Sequence, residues 1–167
     1  LSRLARRPVT LVPGSDLVLP LARLAAEQGV TVALLGATDA VLRAAGDQLQ
    51  AEVPGLQIAA RLAPSQRFDA EGAEADDLMA ALDRSGARLT FLALGAPRQE
   101  IFAERGRMAL PAMGFVSIGA GLDFIAGTQN RAPLWVRRIA MEWFWRLALS
   151  PRRLAVRYLK CALILPG

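Results

Sequence analysis

The stretch LTFLALGAPRQE, residues 89–100, decides the fold of this chain. Residues 89–94 form an apolar run that is typical of a buried β-strand in a sheet covered on both faces. A glycine and a proline follow, and charged, helix-favouring residues then continue from 98 to 107. This order of strand, tight turn and helix predicts that the helix begins at the carboxyl edge of a parallel sheet. Ligands bind at that edge because exposed N–H groups and the helix dipole favour anions there.

The same alternation extends in both directions from this stretch. We expect further strands at residues 9–12, 30–35, 57–62 and 115–118, and helices at residues 17–28, 39–52 and 75–85. The turn at residues 14–16 is expected to cap the first helix, and Thr38 or Asp39 the second. Residues 64–74 are polar, acidic and contain glycine, which predicts a loop. Alternating elements joined by short turns predict an α/β fold, a Rossmann-like, doubly wound, mostly parallel sheet.

The chain changes character after Pro133. Residues 134–148 and 152–165 are predicted to form two helices, interrupted at Ser150 and Pro151 because a proline ends a helix. We therefore expect a Rossmann-like domain over residues 1–133 and a helical, basic C-terminal appendage over residues 134–167.

Composition excludes several classes of function. A chain of 167 residues with 53% hydrophobic content suits one domain with a sizeable core. The absence of histidine excludes Ser-His-Asp and Cys-His catalysis and every histidine-based metal site. Cys161 is the single cysteine, so an internal disulfide is excluded and a reducing compartment is expected.

The formal net charge of +5 is unevenly distributed. Residues 8–127 hold nine basic and fourteen acidic side chains, whereas residues 128–167 hold eight basic and one acidic. An aromatic band at residues 143–145 precedes a basic amphipathic helix, a combination that suits a segment at an anionic membrane surface. The same pattern also fits a helix that packs on the domain and exposes a solvated basic face.

A second glycine-rich turn, GAGLDF at residues 119–124, follows the predicted strand at 115–118. Both turns are expected to offer backbone N–H groups to phosphates at the same sheet edge. Asp123 suits the hydroxyls of a ribose or sugar, or else simply caps the loop. Glu100 fits a structural acid that complements the helix dipole. The third glycine of a dinucleotide fingerprint is missing, which weakens the case for a nicotinamide oxidoreductase.

These motifs form an ordered series along nearly the whole chain. The series comprises VPGSDL at 12–17, GAPRQE at 95–100, GAGLDF at 119–124, Arg131-Ala132-Pro133, Glu142-Trp143, Arg146 and Pro151-Arg152-Arg153. With its motifs in this order, the chain resembles the TagA/WecG/CpsF family of bacterial glycosyltransferases. Leu11 stands where the family usually carries an arginine.

Family members also have an upstream segment with an aspartate proposed as general base. The present chain begins at Leu1, without an initiator methionine and after that point of the family pattern. We therefore expect the chain to be a fragment, with the general base located upstream of Leu1.

The resemblance implies a metal-independent, inverting hexosyltransferase that needs no cofactor and acts in cell-surface or exopolysaccharide synthesis. It implies a catalytic, substrate-contacting role for Gln99. The residues expected to bind the nucleotide sugar are Gly95, Pro97, Arg98, Gln99, Gly119, Gly121 and Asp123. N-acetylmannosamine, its uronic acid, glucose and other hexoses remain open as the sugar, and uridine and guanosine as the nucleoside.

The family's acceptors are sugars linked to polyprenyl diphosphate. Four arginines are expected to bind that diphosphate, because guanidinium forks match phosphate oxygens: Arg131, Arg146, Arg153 and Arg157. The protein is then expected in the cytoplasm, peripheral on the inner face of the cell membrane, without a nucleic acid partner. A homo-oligomer is compatible with this assignment.

The basic tail also leaves a different class of function open. A non-catalytic module could dock on an anionic membrane or on RNA through its arginines, with the aromatic band stacking on bases. RNA binding that falls steeply with salt, without turnover of a nucleotide sugar, would favour that alternative.

Overall fold

A computed structural model describes residues 12–129 of the chain. In this range the strands are β1 (Val32–Gly36), β2 (Ile58–Leu62), β3 (Leu89–Ala93) and β4 (Gly114–Ser117). The helices are α1 (Val18–Glu27), α2 (Asp39–Glu52), α3 (Ala73–Ser85), α4 (Arg98–Ala109) and α5 (Gly121–Ile125). A short 3-10 turn at Gly14–Asp16 precedes α1. Among these helices, none combines the length and apolarity that a membrane span requires.

All strand pairs in the sheet are parallel, in the order β2-β1-β3-β4. The chain adds β2 on one side of β1 and then returns to place β3 on the other side. The strand order therefore reverses between β1 and β3, which is the switch point where open α/β sheets bind ligands. The predicted α/β class is confirmed for this part of the chain.

Two apolar cores cover the two faces of the sheet. Val32 and Leu34 of β1 belong to one core, together with side chains of α1, α2 and α5. Ala33 and Leu35 belong to the other, together with side chains of α3 and α4. Because successive side chains of a strand point to opposite faces, a strand between two helical layers must be apolar throughout. All five residues of β1 are buried, which explains the continuous apolar run in the sequence.

The predicted caps have different outcomes at the first two helices. Thr38 is the N-cap of α2, and its Oγ1 accepts a hydrogen bond from the Val41 backbone N at 3.4 Å, as predicted. The expected cap of α1 at residues 14–16 is wrong. That segment forms the 3-10 turn, and Leu17 precedes α1 with helical dihedral angles and no side-chain cap bond. Backbone bonds, from Leu17 N to Gly14 O and from Leu21 N to Leu17 O, carry the turn directly into the helix.

The predicted loop at 64–74 is shorter and better packed than expected. Helix α3 begins at Ala73, and Phe68 and Ala70 in the loop are buried. The Phe68 ring lies 6.1 Å from the Phe102 ring of α4, centroid to centroid. Arg105 of the same helix donates a hydrogen bond to the Ala70 carbonyl oxygen. The loop is therefore held against α4, which covers one face of the sheet.

Some predicted elements lie outside residues 12–129, so the structure does not test them. The first predicted strand, at residues 9–12, lies outside the described residues except for Val12, which is not in a strand and is 54% exposed. Leu1 also lies outside the described range, so the expectation of a general base upstream of it stays a prediction. The same holds for the two helices predicted after Pro133, and with them the C-terminal appendage.

Candidate functional site

Three turns meet at the carboxyl edge of the sheet, because β1, β3 and β4 are parallel neighbours. Each strand ends at or is soon followed by a glycine with a positive φ: Gly36 at 108°, Gly95 at 73° and Gly119 at 55°. Such angles are in the left-handed region that residues with a Cβ rarely adopt. The three glycines let the chain leave the sheet sharply, so the three turns gather at the carboxyl edge of the sheet.

The turn after β1 was not singled out in the sequence, although its glycine directly follows the clearest apolar run. A Cβ on Gly36 would lie 2.5 Å from the carbonyl carbon of Ala93, so the ends of β1 and β3 approach too closely for a side chain. The next residue, Ala37, also has a positive φ of 60°. A non-glycine residue in this region is uncommon and is often found at functional sites.

The turn between β3 and α4 contains Gly95, Ala96 and Pro97, with a cis peptide bond between the last two. Arg98 is the first residue of α4 and its side chain is exposed. Gln99 follows in the first turn of the helix and is one of the two buried polar residues in the described part of the chain, at 7% exposure. The local sequence therefore places an exposed cation beside a buried amide at the sheet edge.

The Gln99 side chain joins the two turns that the sequence motifs identified. Its Oε1 accepts a hydrogen bond from the Gly119 backbone N at 3.2 Å. Its Nε2 donates to Glu100 Oε1 at 2.8 Å. The turns after β3 and β4 are thus connected through one buried amide group.

The expected backbone donors for phosphate need a correction at three positions. The N–H of Gly119 donates to Gln99, that of Gly121 donates to Ile118 O at 3.0 Å, and that of Gln99 donates to Gly95 O at 3.1 Å. Pro97 has no N–H to offer. These residues therefore shape the turns through internal bonds instead of presenting a row of unused donors. Their predicted contacts with a nucleotide sugar stay predictions.

Asp123 lies in the short helix α5 and is half-buried, so it is not a loop residue as one alternative supposed. The Thr128 hydroxyl lies 3.2 Å from the Asp123 carbonyl oxygen and 3.3 Å from its Oδ1, so these two acceptors share its one hydrogen, and the carbonyl oxygen also accepts a hydrogen bond from the Thr128 backbone N at 3.0 Å. Thr128 closes the C-terminal end of α5 and restrains the Asp123 carboxylate. Sequence reasoning missed Thr128, although its position next to Gly127, which has a φ of 69°, was a usable signal for a helix end.

The turn at residues 14–16, within the opening motif at 12–17, lies next to the same edge. A Cβ on Gly14 would collide with the Ser117 carbonyl oxygen at the end of β4, so this turn packs directly on that strand. The four arginines predicted to bind the lipid diphosphate, Arg131, Arg146, Arg153 and Arg157, lie outside the described residues.

The edge opposite to the three turns carries a small cavity. It has a volume of about 180 Å³ and is lined by the segments that precede β3 and β4, among them Asp83, Arg88 and Met113. These residues stand at the amino ends of the strands, where ligand sites of open α/β sheets do not form. The carboxyl edge is therefore the candidate site. The described residues contain no group of three or more His, Cys, Asp or Glu side chains that could hold a metal ion.

Comparison with known proteins gives one family and two named relatives. The model of the glycosyl transferase WecG/TagA/CpsF family matches residues 1–166. The chain is 30% identical over 144 residues to a Bacillus subtilis protein named N-acetylglucosaminyldiphosphoundecaprenol N-acetyl-beta-D-mannosaminyltransferase, which covers 85% of the chain and 53% of that protein. A protein of the same name from Bacillus spizizenii is 30% identical over 153 residues, 91% of the chain and 57% of that protein. The chain thus spans little more than half the length of these curated relatives.

Proposed function

The chain belongs to the WecG/TagA/CpsF family of glycosyl transferases, as its motif order predicted, and on this premise we propose that its carboxyl sheet edge binds a nucleoside-diphosphate sugar. The full-length enzyme transfers N-acetylmannosamine or another hexose to a sugar linked to polyprenyl diphosphate. The transfer inverts the anomeric centre and needs no metal or cofactor. The names of the two relatives, which specify a mannosaminyl group and a diphosphoundecaprenol acceptor, support this choice of substrates.

The observation that carries the proposal is the hydrogen bond between Gln99 Oε1 and Gly119 N. It joins the two family motifs at the carboxyl edge of β3 and β4, next to the switch point between β1 and β3, and open α/β sheets bind ligands in this region. Two motifs 20 residues apart in sequence therefore meet through a buried polar bond, which supports the proposal that they serve one site.

The residues around this point suit the charge that develops during transfer. When the bond between the anomeric carbon and the diphosphate breaks, negative charge grows on the leaving oxygens. In this proposal Arg98, the first residue of α4, and the positive end of the helix dipole stabilise that charge. The Asp123 carboxylate accepts hydrogen bonds from ribose or sugar hydroxyls, while Thr128 holds it in place. By resemblance, the acceptor proton goes to an aspartate in the family's segment upstream of Leu1.

The basic segment 134–167 is proposed to bring the protein to the inner membrane face. Arg131, together with Arg146, Arg153 and Arg157 of this segment, would then hold the diphosphate of the lipid acceptor, while the carboxyl sheet edge binds the donor. Each basic side chain near an anionic leaflet contributes about 1 kcal/mol, so several together give reversible docking. Co-sedimentation should therefore require anionic liposomes and weaken as salt rises. Equal sedimentation with neutral liposomes would contradict this docking.

Calorimetry with UDP, UDP-sugars and GDP-sugars tests the donor site. We expect heat from at least one of them, and a loss of about tenfold in affinity for Asp123→Ala, because one charge-assisted hydrogen bond is removed. Asp83→Ala, which changes the cavity at the opposite edge, is the control and should bind like the wild type. No heat from any nucleotide on folded wild-type protein would contradict the site. Salt-sensitive RNA binding in its place would support the non-catalytic alternative.

A further inference from the structure

We infer that Glu100 is a positioning residue for Gln99, because its carboxylate determines which end of the Gln99 amide faces Gly119. The inference rests on the proposed function for its effect on ligand binding, whereas the hydrogen-bond geometry stands without it. In the sequence, Glu100 suggested only an acid that complements the helix dipole. The structure adds a specific partner, Gln99 Nε2, at 2.8 Å from Glu100 Oε1.

An amide side chain is asymmetric, which makes its orientation a choice between two states. One end of the Gln99 amide is an acceptor and the other end is a double donor. In the observed orientation, Oε1 meets the Gly119 N–H and Nε2 meets a Glu100 carboxylate oxygen. If the amide turned over, a donor would face the Gly119 N–H and an acceptor would face the carboxylate. Both contacts would then be unfavourable, so Gly119 and Glu100 select the same orientation.

Burial makes this selection matter. Gln99 is 7% exposed, so water replaces a lost partner poorly and an amide in the wrong orientation leaves polar groups unsatisfied. Glu100 is exposed and acts on the buried amide from the solvent side of α4. The carboxylate therefore holds the turn after β4 in place through the Gln99 side chain.

Two roles for Gln99 can now be separated by experiment. In the first, Gln99 acts by donating an Nε2 hydrogen to the ligand. In the second, which we infer, it acts through Oε1 and fixes Gly119. Exchanging the two side chains distinguishes these roles. In the exchanged pair, the carboxylate at position 99 still offers an acceptor to Gly119. The amide at position 100 can donate to that carboxylate, so the two side chains keep a donor–acceptor contact. The side chain at position 99 then has no donor.

The test compares UDP affinity by calorimetry for the wild type, Gln99→Glu, Glu100→Gln and the double variant Gln99→Glu/Glu100→Gln. We expect Gln99→Glu to lose about tenfold in affinity, since two carboxylates then face each other. The double variant should regain affinity to within about threefold of the wild type. A double variant as weak as Gln99→Glu would show that Gln99 acts as a donor and would overturn the inference. Full affinity in Gln99→Glu would overturn it as well.

The chain offers a matched control on another helix. Gln48 Nε2 donates to Glu52 Oε1 at the same distance of 2.8 Å, on the exposed surface of α2. The single variant Gln48→Glu and the double variant Gln48→Glu/Glu52→Gln repeat the same charge changes away from the three turns. UDP affinity should not change in either control variant.

Amide hydrogen exchange at Gly119 separates failure of the inference from failure of the proposed function. Its exchange should be slow in the wild type and the double variant, and fast in Gln99→Glu and Gln99→Ala. Glu100→Ala, at an exposed position where folding is little at risk, should also speed it. If the wild type binds no UDP, the UDP assignment fails while this exchange pattern still supports the inference. Equal Gly119 exchange in the wild type and Gln99→Ala would overturn it.

Discussion

At the scale of single residues, glycines with positive φ serve two physical purposes at the strand ends. Within residues 12–129, a Cβ added at Gly95 or Gly119 would meet no atom within 4 Å, so the backbone conformation is what calls for glycine at these two positions. Gly36 is needed for its conformation and also for space, because a Cβ there would lie 2.5 Å from the Ala93 carbonyl carbon. The sequence motifs identified the first two glycines. The role of Gly36 depends on a neighbouring strand, which local sequence does not reveal.

Gly36→Ala should therefore destabilise the fold by about 2–4 kcal/mol, from backbone strain and from overpacking against β3. Gly55→Ala is the matched control, because Gly55 has a φ of 88° but no atom of the described part of the chain lies within 4 Å of the added Cβ. It should cost only the conformational part, about 1–2 kcal/mol. Urea denaturation of both variants measures the difference. Equal losses would contradict the close approach of β1 and β3.

At the scale of elements, the sequence predicted the strands and helices where the local signals and the tertiary packing agree. The apolar run of β1 and the Thr38 cap of α2 are examples. The turn at residues 14–16 and the loop at 64–74 were predicted, but the way the turn continues into α1 and the packing of the loop were not, because tertiary contacts decide them. Phe68 was the one available hint, since an aromatic residue in a polar segment often marks a buried anchor.

Glu74, near the beginning of α3, forms hydrogen bonds with the start of the loop at residues 64–72. The Ser65 backbone N–H and hydroxyl both donate to its carboxylate, at 2.6 and 2.7 Å. These bonds favour the ionised form and lower the pKa of Glu74 below its ordinary value. A lowered pKa in the folded state adds stability that is present above the unfolded pKa and is lost as the pH falls through the folded pKa.

Glu74→Gln should therefore melt at a lower temperature than the wild type at neutral pH. The difference between the two proteins should shrink as the pH falls through the acidic range, where the wild-type carboxylate becomes protonated. Thermal melts from neutral to acidic pH measure this. Glu104→Gln is the comparison variant away from the loop. It also removes a carboxylate with a lowered pKa, but that carboxylate pairs with Arg107 of its own helix on the exposed surface of α4. A difference that stays constant or grows towards low pH would contradict the role of Glu74.

At the scale of the whole molecule, strand–helix alternation predicted the parallel α/β sheet and the edge to which the site is assigned. The strand order β2-β1-β3-β4, which identifies β1 and β3 as the switch point, could not be predicted, because it depends on which side of β1 each later strand joins. The sequence accordingly pointed to the turns after β3 and β4 and missed the turn after β1. The contacts of Gln99 and Asp123 needed the structure.

The central claim is that the nucleotide sugar occupies the carboxyl edge of the sheet. Amide hydrogen exchange with and without UDP-N-acetylmannosamine tests it most directly, because it resolves both edges of the sheet in a single experiment. We predict slower exchange in residues 36–38, 95–99 and 119–123 when the ligand is present. Residues 86–88 and 110–113, which line the cavity at the opposite edge, should not change. Protection confined to that opposite edge, or none at either edge at saturating ligand, would contradict the claim.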